Sequence, residues 1–143
     1  MISLVMDTSN SYLAVGLFKD NMCLEAFQEK GSRRQSEKAI PSLKEVLDRH
    51  HIALKDVNEM IITSGPGSYT GVRVAMTIAK TLAAVSDVRI KSVSSLAAYA
   101  GMNQALSVID ARGHKVFVCV YENGLPLIKE QVMTLEDFTQ LRA

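Results

Sequence analysis

Two aspartates and a glycine-rich turn are the residues of this chain best placed for chemistry. Asp7 closes the apolar run Ser3–Met6, and Asp110 closes Ser107-Val-Ile109. Two carboxylates at strand ends, facing one another across a cleft, can hold a magnesium ion and through it a phosphate. Thr8 and Ser9 directly follow the first of them. The glycine-rich turn lies in Ser64-Gly-Pro-Gly-Ser-Tyr-Thr-Gly-Val-Arg73, after the apolar Met60-Ile-Ile62 and before a helix. Gly65 and Gly67 permit backbone angles that other residues avoid, Pro66 stiffens the loop, and Ser68 and Thr70 are candidate N-caps. Free N–H groups and the helix dipole could bind an anion there. The loop lacks the Gly-Lys-Ser/Thr ending of a P-loop, and glycines 65, 67 and 71 miss the dinucleotide spacing by one residue. The plainer alternative is a tight turn that brings strand and helix together, with each aspartate accepting N–H bonds in its own turn.

Other chemistry finds less support. The chain has three histidines, His50, His51 and His114. The first two are adjacent and point about 100° apart around a helix, so they cannot form the one-faced pair that binds zinc. A peptidase reading therefore has no ligands to act through. Lys30, Arg33, Arg34 and Lys38 form a local basic cluster that could meet nucleic-acid phosphates, but no aromatic residue interleaves it for base stacking. The formal net charge of +1 gives no global drive toward nucleic acid or membrane. An apolar content of 48% over 143 residues supports a core in one domain or two small lobes. No stretch reaches transmembrane length, and the first residues read as a strand rather than a leader. Cys23 and Cys119 sit in apolar runs and are expected as reduced, buried thiols in a cytoplasmic protein.

These residues need elements to position them. Ser3–Met6, Tyr12–Phe18 and Cys23–Gln28 read as an antiparallel meander. Gln35–His51 reads as a helix with Ala39, Ile40, Leu43, Val46 and Leu47 on one face; Pro41 either kinks it or marks its first turn. Leu54–Asp56 is a turn, Val57–Thr63 a strand, and the glycine-loop helix runs to about Val85. That helix carries Val72, Ala75, Met76, Ile78, Ala79, Leu82 and Ala83, an apolar surface wider than a one-sided surface helix needs. Arg89–Val93 is a strand and Ser94–Met102 a short helix capped by Ser94 or Ser95.

The chain then repeats itself. Leu4–Asp20 aligns without gaps on Ser107–Asn123, placing Asp7 on Asp110, Val15 on Val118, Leu17 on Val120 and Phe18 on Tyr121. Leu127–Val132 is expected as the third strand of the second copy and Thr134–Leu141 as the start of a helix. The order is βββαβαβα over residues 1–103, then an incomplete related lobe, βββα, over residues 104–143. This is the α/β order of the actin-like, ribonuclease-H-like fold. With the second lobe incomplete, Val116, Val118 and Val120 are expected to lie partly uncovered, and the chain to dimerise or aggregate.

Met6-Asp-Thr-Ser9, Gly65-Pro-Gly-Ser-Tyr-Thr-Gly-Val-Arg73, Ser92-Val-Ser-Ser-Leu96 and Ile109-Asp-Ala-Arg112 together resemble the TsaB (YeaZ) family, a non-catalytic branch of the glycoprotease-like superfamily. The resemblance runs the length of the chain, whereas members usually continue further into the second lobe. It departs from the family at Gln35-Ser36-Glu37, where His-Ser is frequent, and at Gly113-His114-Lys115. The resemblance implies a scaffold subunit that binds and activates the catalytic paralogue TsaD (Gcp, YgjD) in threonylcarbamoyl transfer to adenosine 37 of tRNA. It implies TsaE, an ATPase, in the same complex, a homodimer through the same surface, indirect contact with tRNA and no membrane. ATP and magnesium would be used by the partner subunits, with no cofactor, metal or catalytic residue on this chain. The first two helices would form the interface, through Ile40, Leu43, Leu47, Val72, Ala75, Met76, Ala79, Leu82 and Ala83. Asp7, Thr8, Ser9, Gly65, Gly67 and Asp110 remain the candidates for a nucleotide or phosphate, in a kinase- or ATPase-like alternative.

Overall fold

The computed structural model describes residues 1–30 and 35–142, so Arg33 and Arg34 of the basic cluster lie outside the described residues. The elements run β1 (Ile2–Asp7), β2 (Tyr12–Lys19), β3 (Met22–Lys30), α1 (Gln35–Arg49), a 3-10 turn at Leu54–Asp56, β4 (Glu59–Thr63), α2 (Tyr69–Val85), β5 (Arg89–Val93), α3 (Ser95–Ala100), β6 (Ala105–Arg112), β7 (Lys115–Glu122), β8 (Leu125–Pro126), β9 (Gln131–Thr134) and α4 (Leu135–Arg142). They form two compact units, Met1–Ser64 with Ser68–Val93, and Gly65–Gly67 with Ser94–Ala143. The boundary expected after residue 103 thus falls after Val93, because Leu96 and Ala100 of α3 pack on Ile109, Cys119 and Tyr121.

In the first unit five strands lie in the order β3-β2-β1-β4-β5, with β1, β4 and β5 parallel and β1, β2 and β3 antiparallel. Alternation along each strand sends one set of side chains to one face. Leu4 pairs with Leu17 and Met60, and Met6 with Val15 and Ile62. All six are buried, together with Ala39, Leu43, Val46 and Leu47 of α1 and Ala75, Ile78 and Ala79 of α2. Each fully buried Leu, Ile or Met contributes about 1.5–3 kcal/mol of transfer free energy, so this face holds the unit together.

Local chemistry sets the element ends. Pro41 sits inside α1, neither ending the helix nor opening it. α1 stops at Arg49 because His51 takes φ 55°, while Ile52 N–H caps the Leu47 carbonyl at 3.0 Å. α3 stops at Ala100 because Gly101 takes φ 60°, and Ser94 is its N-cap through Leu96 N–H. β4 starts at Glu59 rather than Val57, after the Asn58 amide oxygen accepts from Ile2 N–H at 2.7 Å. Glu59 itself is buried, with one carboxylate oxygen accepting from Ser3 Oγ at 2.8 Å and the other 2.8 Å from Lys91 Nζ. Those two contacts hold its carboxyl below the usual range.

In the second unit β6 pairs β7, and both β8 and β9 pair the opposite edge of β7. The single strand expected at Leu127–Val132 is therefore two short ones. Pro126 cannot donate to the ladder, and residues 127–130 span the two β7 positions Cys119 and Val120 before Gln131 pairs with Val118. Two further expectations need correction. Val116 and Val118 are buried rather than uncovered, Val120 is half-buried, and the exposed apolar residues beside them are Leu106 and Val108 of β6. Cys119 is buried as expected, but Cys23, near the start of the outer strand β3, is exposed.

Candidate functional site

The Asp7 turn is built from the ends of three elements. Asp7 ends β1, and its Oδ1 accepts three bonds: from Ser9 N–H at 2.8 Å, Ser9 Oγ at 2.6 Å and Thr63 Oγ1 of β4 at 2.6 Å. Thr8 and Ser9 are wholly buried. Thr8 Oγ1 donates to the Gly71 carbonyl at 2.5 Å, and Ser68 N–H donates to the Ser9 carbonyl at 2.6 Å. Ser68 is the N-cap of α2, its Oγ accepting from Gly71 N–H at 3.2 Å. Gly71 is required here: a Cβ added to it would lie 2.0 Å from the Thr8 carbonyl oxygen. Gly71, the third glycine of the segment, is thus the place where α2 rests on the β1–β2 turn.

The other candidates for a phosphate stand elsewhere. Gly65, with φ 100°, and Gly67 belong to the second unit, where the Gly65 carbonyl accepts from Ser95 N–H at 2.8 Å. Asp110 is exposed on β6, and its Oδ1 accepts from Arg112 N–H at 2.8 Å. Asp7 and Asp110 therefore make the same local bond, to the N–H two residues on. Thr8 and Ser9 direct their hydroxyls inward to main chain and to Asp7.

The α1–α2 surface divides into a buried and an open part. Leu43, Leu47, Ala75 and Ala79, read from the sequence as interface residues, are buried in the first unit's own core. The apolar girth of α2 has this cause: one side meets the sheet and the flank meets α1, and Ala75 and Ala79 face inward. Val72, Met76, Leu82 and Ala83 are half-buried, and Ile40 is 61% exposed. Beside Ile40 runs a shallow groove of 400 Å³, lined by Ser36 and Ile40 of α1 and by Tyr69, Arg73, Val74 and Thr77 of α2. Tyr69 is 76% exposed, and the Arg73 guanidinium lies 5.2 Å from its ring centre while donating to its hydroxyl at 3.0 Å. Tyr69 and Arg73 were not among the residues read from the sequence as interface; their signal is an aromatic and a cation four residues apart at the first turn of a helix.

Two carboxylates of β3 hold α1 at both ends. Glu29 meets Lys38 at 2.8 Å near its start. Glu25 accepts from both Arg49 Nε and Nη2 at its end, and lies 3.0 Å from His50 Nε2. The Arg49 fork, opposed by burial and aided by His50, holds the Glu25 carboxyl down to about 2. Groove, helix and sheet edge are thereby fixed as one piece of surface.

The order of elements, the mixed sheet and the second strand–Asp–hairpin copy define an α/β protein of the actin-like, ribonuclease-H-like class. The sequence model of the family described as TsaD: tRNA N6-adenosine threonylcarbamoyltransferase matches residues 28–142. The tRNA threonylcarbamoyladenosine biosynthesis protein TsaB of Bacillus subtilis is 31% identical over 150 aligned residues, covering 99% of this chain and 66% of that protein. TsaB of Escherichia coli is 31% identical over 132, covering 85% and 57%. The structure of YeaZ from Pseudomonas aeruginosa superposes with a TM-score of 0.85 at 28% identity, over 93% of this chain and 67% of that one. The chain belongs to the TsaB (YeaZ) family, and it spans less than two thirds of the length of those two curated relatives.

Proposed function

We propose that this chain is a non-catalytic partner subunit in the biosynthesis of threonylcarbamoyladenosine in tRNA. In this reading it binds and activates the catalytic paralogue TsaD, with the ATPase TsaE in the same complex, and contacts tRNA only through them. ATP and magnesium are handled by those partners in the cytoplasm, and a homodimer uses the same surface when the paralogue is absent. Relatives named as threonylcarbamoyladenosine biosynthesis proteins support the pathway. The observation that carries the partner role is the open groove on the first two helices, where Ile40 and Tyr69 expose large apolar side chains beside Arg73. Exposed aromatic and Arg side chains framing a shallow apolar groove are the composition of interface anchors. The commitment of Asp7, Thr8 and Ser9 to bonds with one another, with Thr63 of β4 and with Gly71 of α2 supports a partner that does no phosphoryl chemistry of its own.

Light scattering after gel filtration tests this, on the chain alone and mixed with its organism's catalytic paralogue. A heterodimer that Ile40→Glu weakens at least tenfold is the expected result. A chain that ignores the paralogue at tens of micromolar overturns the proposal.

A further inference from the structure

The charge on α2 is of one sign. Along its 17 residues the helix carries Arg73 and Lys80 and no acidic residue. Both cations are exposed, as are Tyr69, Thr70, Thr77 and Thr81 around them. Among the described residues no carboxylate pairs with either cation. The cations of α1 differ, since Glu29 engages Lys38 and Glu25 engages Arg49. Arg73 is also held in place: its guanidinium lies over the Tyr69 ring, and one Nη1 bond goes to the Tyr69 hydroxyl. The rest of the guanidinium fork is open to a carboxylate in the two-point geometry that this group favours. Stacking on the ring reduces the side-chain ordering that such a contact would otherwise cost.

We propose that the α1–α2 groove receives a helix of the catalytic paralogue whose apolar face is bordered by an acidic side chain, and that Arg73 binds this carboxylate. This rests on the partner-subunit reading and names the chemistry of its partner. Ile40 and Val74 on the groove walls supply the apolar contact. Lys80 lies two turns, about 10 Å, further along α2 and adds attraction of the same sign. A nucleic-acid backbone would satisfy the cations but leave Ile40 and Val74 without a counterpart. The α2 helix of a second copy would bring only cations to the groove, so charge favours the paralogue over self-association.

Titration of the chain with its organism's catalytic paralogue at about 50 and about 500 millimolar salt tests this. The native heterodimer is expected to weaken about tenfold over that range. Arg73→Gln is expected to weaken it about tenfold at the lower salt and to flatten the salt dependence. Lys80→Gln should cost about threefold. Arg73→Glu should bind least, and lysine in place of one acidic residue of the paralogue should restore it. A heterodimer that forms but is indifferent to salt and to Arg73→Gln overturns this inference and leaves the partner reading standing; no heterodimer overturns both. A homodimer that weakens with salt as steeply as the heterodimer overturns it in favour of a carboxylate from a second copy. Binding of tRNA by the chain alone that Arg73→Gln removes, with the heterodimer unaffected, overturns it in favour of phosphate.

Discussion

Asp7 and Asp110 occupy matching positions in the two copies of the strand-and-hairpin unit, yet they differ in what surrounds them. Both accept the N–H two residues on, at 2.8 Å. Both copies end their hairpin in a two-residue turn with positive φ, Asp20-Asn21 at 48° and 68° and Asn123-Gly124 at 52° and 80°. Around Asp7 the neighbours close in: Thr63 arrives from β4, Ser9 adds its hydroxyl, and α2 is seated on the next residue through Gly71. Around Asp110 the strand bulges and the next turn, Arg112-Gly-His114, is left-handed throughout. A residue's role is set by which elements reach it, and a motif shared by two copies does not carry the role across.

This contrast can be broken by substitution, with the largest effect at Gly71. Gly71→Ala forces a methyl group onto the Thr8 carbonyl, and we expect a loss of about 3 kcal/mol or more in chemical denaturation, because backbone cannot yield as a side chain can. Asp7→Ala leaves three donors without their acceptor and should cost about 2–4 kcal/mol, against under about 1 kcal/mol for Asp110→Ala. Equal losses at the two aspartates would show that the extra donors at Asp7 contribute nothing. Lys91→Met should cost about 1–3 kcal/mol, since it leaves the buried Glu59 carboxylate without its cation. The smallest effect is one of pH. The Glu25 carboxyl is lowered from 4.5 to about 2 in the fold, so its contribution is complete above pH 4.5 and lost as pH falls through about 2. A stability gap between the native chain and Glu25→Gln should therefore be constant above pH 5 and shrink over that window; a gap that stays constant down to pH 2 would contradict the Arg49 fork.

Much of this fold was legible where a single period dominates. An apolar run closed by Asp marks β1 and β6, alternation marks β2 and β7, and the spacing of Ala39, Leu43, Val46 and Leu47 marks the buried face of α1. Register was not legible. Leu4 pairs with Leu17, whereas Ser107, aligned on Leu4, pairs with Cys119, aligned on Gly16. That one-residue shift puts Leu106 and Val108 on the face of Val118 and Val120, an outcome decided by the left-handed turn and the bulge rather than by hydrophobicity. Which side chains of α1 and α2 stay open was not legible. An apolar stripe on α2 states that something covers it, and the sheet and α1 do so at Ala75 and Ala79. The surface left over is set by Tyr69 and Arg73, residues that an apolar count passes by.

Hydrogen exchange on the chain with and without its catalytic paralogue tests the partner reading most directly. Slowed exchange confined to residues 36–40 and 69–77, with the Asp7 turn and β6 unchanged, is the result expected. Binding that leaves those two segments unprotected would contradict it, and would move the interface off the first two helices.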